Sequence, residues 1–141
     1  MSDRTFVDTN VLVYALDDAE PQKRDIAREV LGSGRYGELV LSAQVLSELY
    51  VAITRKLDRP VAEGQAVEAV ERLGLSNPTI SIDTALVRRG MEVSRSAGLS
   101  YWDGLVVAAA ARAGCSRLLT EDLNDGQLIG AVRVENPFRE L

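Results

Sequence analysis

Histidine is absent from this 141-residue chain and cysteine occurs once, as Cys115. A Ser/His/Asp triad, a His/His ribonuclease pair and any zinc site built on Cys or His are therefore excluded. A lone cysteine also excludes an internal disulfide. Excess positive charge is missing too: 21 acidic residues against 16 basic ones leave a net charge of −5, and the pI is near 4.8. Such a protein does not hold nucleic acid through a bulk positive field, although it can reach phosphates through metal ions. The opening Met-Ser-Asp-Arg-Thr-Phe carries no apolar signal core, and no apolar run approaches the roughly 18 residues that span a bilayer. The expectation is a cytoplasmic protein with no membrane partner.

What is present is the composition of an ordinary folded domain, 46% hydrophobic and 26% charged, too apolar for intrinsic disorder. The length suits one domain, residues 1–141, around one core. The groups left for chemistry are carboxylates, hydroxyls, amides, two lysines and fourteen arginines.

Thr5-Phe6-Val7 reads as a strand ending at Asp8, and Asn10 can cap an apolar helix from about Val11 to Leu16. Pro21 precedes a polar helix, and Glu38 to Leu41 reads as a second strand. Ser42 caps a long helix with Leu46, Leu49, Tyr50, Ile53 and Leu57 on one stripe. Pro60 starts the next helix, which stops near Gly74. Thr79 to Ile82 is a strand, Asp83 to Ala97 a helix ended by Gly98, and Ser100 opens an Ala- and Val-rich helix that stops at Gly114. Arg117 to Leu119 and Val132 to Val134 are the last strands. This alternation predicts an α/β fold of three layers, α/β/α, around a central parallel sheet of four to five strands. In open sheets sites form beyond the carboxyl ends of the strands, which directs attention to Asp8 and Asp122.

Each acid has an ordinary alternative. Asp8 can be a turn residue accepting from backbone amides. Glu48 lies about 160° from the centre of the Leu46/Leu49/Tyr50/Ile53 stripe at 100° per residue, where a solvated acid is usual; Val45 and Ala52 flank it and suggest a semi-enclosed cleft. Asp103, three residues after Ser100, suits a capping role. The small side chains that follow it let that helix approach the sheet and carry Asp103 towards the strand ends. Thr120 or Asp122 can start a short helix, and Glu121 and Asp125 leave open which local acid faces inward.

The order of these pieces resembles the PIN domain family of metal-dependent nucleases, and in particular the VapC toxins of bacterial type II toxin–antitoxin pairs. The matching stretches are Phe6-Val7-Asp8-Thr9-Asn10-Val11-Leu12-Val13-Tyr14-Ala15, the run from Leu41 to Tyr50, Leu99-Ser100-Tyr101-Trp102-Asp103-Gly104 with the apolar run after it, Leu118-Leu119-Thr120-Glu121-Asp122-Leu123, and Val134-Glu135-Asn136-Pro137-Phe138. The resemblance covers residues 5 to 138. It implies that Asp8, Glu48, Asp103 and Asp122 stand at the family's four acidic positions as catalytic and metal-holding residues, with Asn10 and Thr120 orienting them. It also implies a PIN-like fold, Mg²⁺ or Mn²⁺, an RNA substrate, a cognate antitoxin partner and a homodimer. After Asp122 the chain reads Leu123-Asn124-Asp125-Gly126, where many members have Asp followed by an aromatic residue; Asp125 is a candidate fifth acid in a supporting role.

Two carboxylates 4 Å apart repel by about 4 kcal/mol at an effective dielectric near 20, so a cluster of four must hold protons or cations. Oxygen ligands alone select Mg²⁺ or Mn²⁺, and the matching chemistry is phosphodiester hydrolysis by a metal-activated water. Lys23, Arg24 and Arg28, Arg55, Lys56 and Arg59, and Arg88 with Arg89 can either guide an RNA backbone or form solvated helix surface. Tyr101 and Trp102 can stack an unpaired base or pack in the core. Two rival functions are a phosphatase with Asp8 as nucleophile and a binding module without cleavage. The first resembles the haloacid-dehalogenase pattern, which wants a second Asp where Asn10 stands. The second does not explain why all four acids are kept.

Overall fold

Strands that are apolar on both faces must be covered on both, and the side chains of Phe6, Val7, Val40, Leu41, Leu118 and Leu119 are all buried. The computed structural model describes residues 3–141; Met1 and Ser2, part of the stretch read above as lacking a signal core, lie outside the described residues. Along the chain run β1 (Arg4–Val7), α1 (Thr9–Ala15), α2 (Pro21–Gly32), β2 (Glu38–Ser42), α3 (Ala43–Arg55) and α4 (Glu63–Ser76). There follow β3 (Thr79–Ile80), α5 (Thr84–Ala97), α6 (Tyr101–Arg112), β4 (Arg117–Leu119), β5 (Leu128–Ile129) and β6 (Val132–Glu135).

The strands form one sheet in the order β3-β2-β1-β4-β6-β5. Five are parallel, and β5 is antiparallel to β6. The sequence pattern predicts the five parallel strands and misses β5, whose two residues lie between Gly126 and Gly130, both in the left-handed region. From β1 the chain moves outward to β2 and β3, then returns to lay β4 on the other side of β1. The crossover direction reverses between β1 and β4, and a crevice at such a switch is where open α/β sheets place their ligands.

Helices cover both faces of the sheet. On one side α1 packs against α2 and α3, and α3 against α4. On the other α6 lies on β2, β4 and β6 and is backed by α5. Every residue of α6 from Gly104 to Ala110 is buried, as a helix sandwiched between sheet and helix must be. Among the described residues no helix is long and apolar enough to cross a membrane.

Three local expectations shift. Asp8, not Asn10, caps α1, accepting from the Thr9 amide and starting the helix two residues earlier than the apolar run suggests. The fourth helix begins at Glu63 rather than Pro60, because the Val61 amide is committed to the Ile53 carbonyl at 2.8 Å. No helix starts after Thr120. Ser42, Asp83 and Ser100 cap α3, α5 and α6 as their positions predict, and Gly98 ends α5 at φ 68°.

The tight approach of α6 is made to α5, not only to the sheet. A Cβ on Gly104 would lie 2.6 Å from the Gly90 carbonyl oxygen and 2.9 Å from the Ser94 nitrogen, both backbone atoms. Gly104 follows Asp103 directly, so this contact fixes where the acid-bearing turn sits. Gly104→Ala should therefore destabilise the fold by about 1–3 kcal/mol in urea unfolding. Gly64→Ala, which meets nothing within 4 Å, should stabilise it by about 0.5 kcal/mol. Equal effects of the two substitutions would contradict the close contact.

Candidate active site

Asp8 leaves the end of β1 with its amide still bonded to the Leu119 carbonyl of β4 at 3.0 Å. Its extended backbone turns the carboxylate over the start of α1, where Oδ1 accepts from the Thr9 amide at 2.8 Å. Oδ2 accepts from the Thr120 hydroxyl at 2.8 Å and lies 3.4 Å from Asn10 Nδ2. Asp8 thus accepts from a backbone amide, as a turn residue would, through one oxygen, and the other faces Thr120 and Asn10 across the crevice. Thr120 itself continues β4, its amide bonded to the Glu135 carbonyl.

Asn10 and Thr120 bind the two sides of the crevice together. Asn10 Nδ2 reaches Thr120 Oγ1 and Asp122 Oδ2, each at 3.1 Å, and Asn10 Oδ1 accepts from the Glu121 amide at 3.3 Å. Thr120 Oγ1 also accepts from the Asp122 amide at 3.1 Å. On the third side the first turn of α6 delivers Asp103, whose amide donates to Ser100 Oγ at 3.1 Å. Asp8, Asp103 and Asp122 each offer a carboxylate oxygen, and the three oxygens lie within 4.8 Å of one another.

Glu48 stands outside that group. It is exposed on α3 and accepts from the Thr9 hydroxyl at 3.1 Å. It lines the same cleft together with Ala52 and Val51; Val45, expected beside it, is buried in the core instead. Of the three acids after β4, long-range partners decide which faces inward. Glu121 is held by the Tyr14 hydroxyl at 2.7 Å and by Lys23 at 3.2 Å. Asp125 accepts from the Asn136 amide at 2.8 Å and faces Arg139 at 3.7 Å. Asp125 therefore fastens the carboxy-terminal segment and does not join the cluster, so its expected supporting role at the site is not seen.

Burial raises the Asp8 carboxyl from its ordinary value of 3.8 to about 7, against the hydrogen bonds from Thr120 and Thr9, with the charges of Asp122 and Glu48 adding to the rise. Asp122 is also raised, chiefly by burial and then by Asp103 and Glu121, while Asn10 opposes the shift. The crevice is a place where negative charge is costly unless a proton or a cation accompanies it.

The acids open into a cleft of about 1080 Å³. One wall is the face of α1 carrying Asn10, Val13, Tyr14 and Asp17; another is the face of α3 carrying Gln44, Ser47, Glu48, Val51, Ala52 and Lys56. Trp102, Asp103, Leu105 and Val106 of α6 close it, with Leu57 and Ile82 at the side. Among the described residues Lys56 is the single cation lining it. Lys23, Arg24 and Arg89 are held in ion pairs and Arg28 bonds the Ala15 carbonyl. Thr9, Tyr14 and Gln44 also line the cleft and carry no distinguishing signal of their own in the sequence. Tyr14 is detectable in principle, since it stands one turn after Asn10 on the same helix face.

Three carboxylate oxygens so close together, with no imidazole or thiolate near, fit a hard divalent cation. The fold is thus a mostly parallel α/β sheet with an acidic crevice at its switch point. The PIN domain profile matches residues 5–124, and the chain belongs to the PIN domain family. No curated protein sequence matches it. Among solved structures it is similar to a toxin–antitoxin complex from Klebsiella pneumoniae, with a TM-score of 0.69, 19% identity and 95% of this chain and 98% of that one covered. It is similar to FitAB bound to an IR36 DNA fragment, with a TM-score of 0.68, 22% identity and 94% of each chain covered. A third is Mycobacterium tuberculosis VapC20, described as a Sarcin-Ricin loop cleaving toxin, with a TM-score of 0.63, 20% identity and 81% of this chain and 86% of that one covered. At these identities the likeness establishes the fold.

The raised Asp8 carboxyl has a definite sign. Its folded value lies above its unfolded one, so its contribution to stability is complete below about pH 4 and is lost as pH rises towards 7. In EDTA, the unfolding free energy of Asp8→Asn relative to the native sequence should rise by roughly 3–5 kcal/mol between pH 4 and pH 8, at about 1.4 kcal/mol per unit. A pH-independent difference in denaturant titrations would show that Asp8 ionises normally.

Proposed function

We propose that this PIN domain is a divalent-metal-dependent ribonuclease that hydrolyses phosphodiesters, and that it is the toxin of a VapBC-type pair. The observation that carries the reading is the convergence of Asp8, Asp103 and Asp122 to within 4.8 Å at the sheet's switch point. These three residues would hold the ion, Mg²⁺ or Mn²⁺. The chemistry it supplies when bound is acidification of water and neutralisation of charge gathering on the phosphodiester.

The remaining roles fall to the chain's own groups. Asn10 and Thr120 keep Asp8 and Asp122 aimed at a common point, and their donors partly offset the repulsion between the acids. Glu48, exposed in the cleft and steadied by Thr9, would receive a proton from the attacking water. The similar fold of VapC20, a Sarcin-Ricin loop cleaving toxin, supports RNA as substrate. Similar chains seen in toxin–antitoxin assemblies support an antitoxin partner, seated on the cleft through an apolar or basic segment. A homodimer, on the family resemblance, and a cytoplasmic location, on the apolar pattern of the chain, complete the proposal.

Incubation with single-stranded RNA tests it. Cleavage should require Mg²⁺ or Mn²⁺, stop in EDTA, and fall by about 10²-fold or more in Asp103→Asn and in Glu48→Gln. Undiminished cleavage in EDTA or in Asp103→Asn would reject the mechanism.

A further inference from the structure

Trp102 is an anomaly on its helix. The residues from Gly104 to Ala110 are buried, yet Trp102 is 60% exposed, its ring in water on the wall of the acidic cleft beside Asp103. Trp is enriched where one face of the ring meets a partner, and here the exposed indole shares the lining of the same cleft with the exposed Val51.

The platform is held from two directions. Gln44, itself 8% exposed, donates from Nε2 to the Trp102 carbonyl at 3.3 Å, tying the main chain of α6 to α3. The Tyr101 ring meets the indole edge to face, with centroids 5.0 Å apart and planes at 66°. An aromatic fixed in this way offers a flat face at little cost in side-chain freedom.

The surrounding charge selects what lies on that face. Six acids line the cleft against one cation, Lys56, so phosphate contacts with the protein cannot supply most of the affinity for a polyanion. The apolar lining and the indole suit the faces of bases, and those faces are free only in unpaired strands, since a duplex stacks them on one another. A duplex would also bring a second charged backbone to a chain of net charge −5.

We propose that Trp102 is the stacking platform that positions one unpaired base next to the phosphodiester addressed by Asp103, in the RNA of the reading above. The inference rests on that reading for the identity of the polyanion. A short unpaired loop or strand then binds chiefly through its bases and is positioned by the acidic crevice.

Trp102 is the chain's one tryptophan, so its fluorescence reports the platform alone. The intact protein is titrated, in Mg²⁺ and separately in EDTA, with a short oligouridylate, its abasic counterpart and a duplex of equal length. The single strand should quench the indole; the abasic strand and the duplex should not. Affinity for the single strand, followed by anisotropy of a labelled end, should fall about 5- to 100-fold in Trp102→Ala and largely recover in Trp102→Phe, both with unchanged circular dichroism. In Mg²⁺, quenching without cleavage would reject the ribonuclease reading and leave the platform standing; in EDTA, quenching without cleavage is the expected result. Cleavage without quenching, or equal quenching by the abasic strand or the duplex, would overturn the platform. Absence of quenching by any strand, with a blue shift on adding an apolar and basic peptide, would overturn it in favour of a protein segment.

Discussion

Mutual repulsion among Asp8, Asp103 and Asp122 is the constraint to which the rest of the architecture answers. Their oxygens lie within 4.8 Å of one another, a separation at which like charges in a partly buried site work against folding. The chain meets that cost with donors from elements adjacent in the sheet. Thr9 and Thr120 face Asp8, and Asn10 spans to Asp122. Burial of Asp8 goes further than those donors offset, which is why its carboxyl rises to about 7. A cation would relieve what the hydrogen bonds do not, so the same repulsion that costs the fold free energy would favour binding an ion.

The three acids come from three distant parts of the chain, and each is delivered by a rigid device. Parallel register of β1 with β4 sets Asp8 beside Thr120. A helix flush against α5 through Gly104 and Gly90 sets Asp103. The loop after β4 is held by Lys23, Tyr14 and Glu121 on one flank and by Asp125 with Asn136 on the other, so that Asp122 alone turns in. The function proposed for the domain follows from this delivery more than from any single residue.

Much of this was legible in the chain. The parallel strands, the capping residues Ser42, Asp83 and Ser100, and the strand-end positions of Asp8 and Asp122 follow from periodicity and from where open sheets bind ligands. Asp103 stood out only through family resemblance, because a capping acid at a helix start is ordinary. Illegible were facts set by long-range partners: that Asp125 belongs to Asn136, that Glu121 belongs to Lys23, and that Glu48 stands one hydroxyl away from the cluster. The two-residue β5 carries too little pattern to be seen without the edge strand it pairs with. Trp102 illustrates the same limit, since spacing does not tell whether an aromatic at a helix start points inward or, as here, into the cleft.

The most direct test of the central claim is calorimetric titration of the metal-free protein with Mn²⁺. The account predicts saturable binding that weakens about 10-fold or more in each of Asp8→Asn, Asp103→Asn and Asp122→Asn and is unaltered in Asp125→Asn. Absence of saturable binding, or affinity kept when Asp103 is replaced, would show that the three carboxylates do not form one cation-holding group.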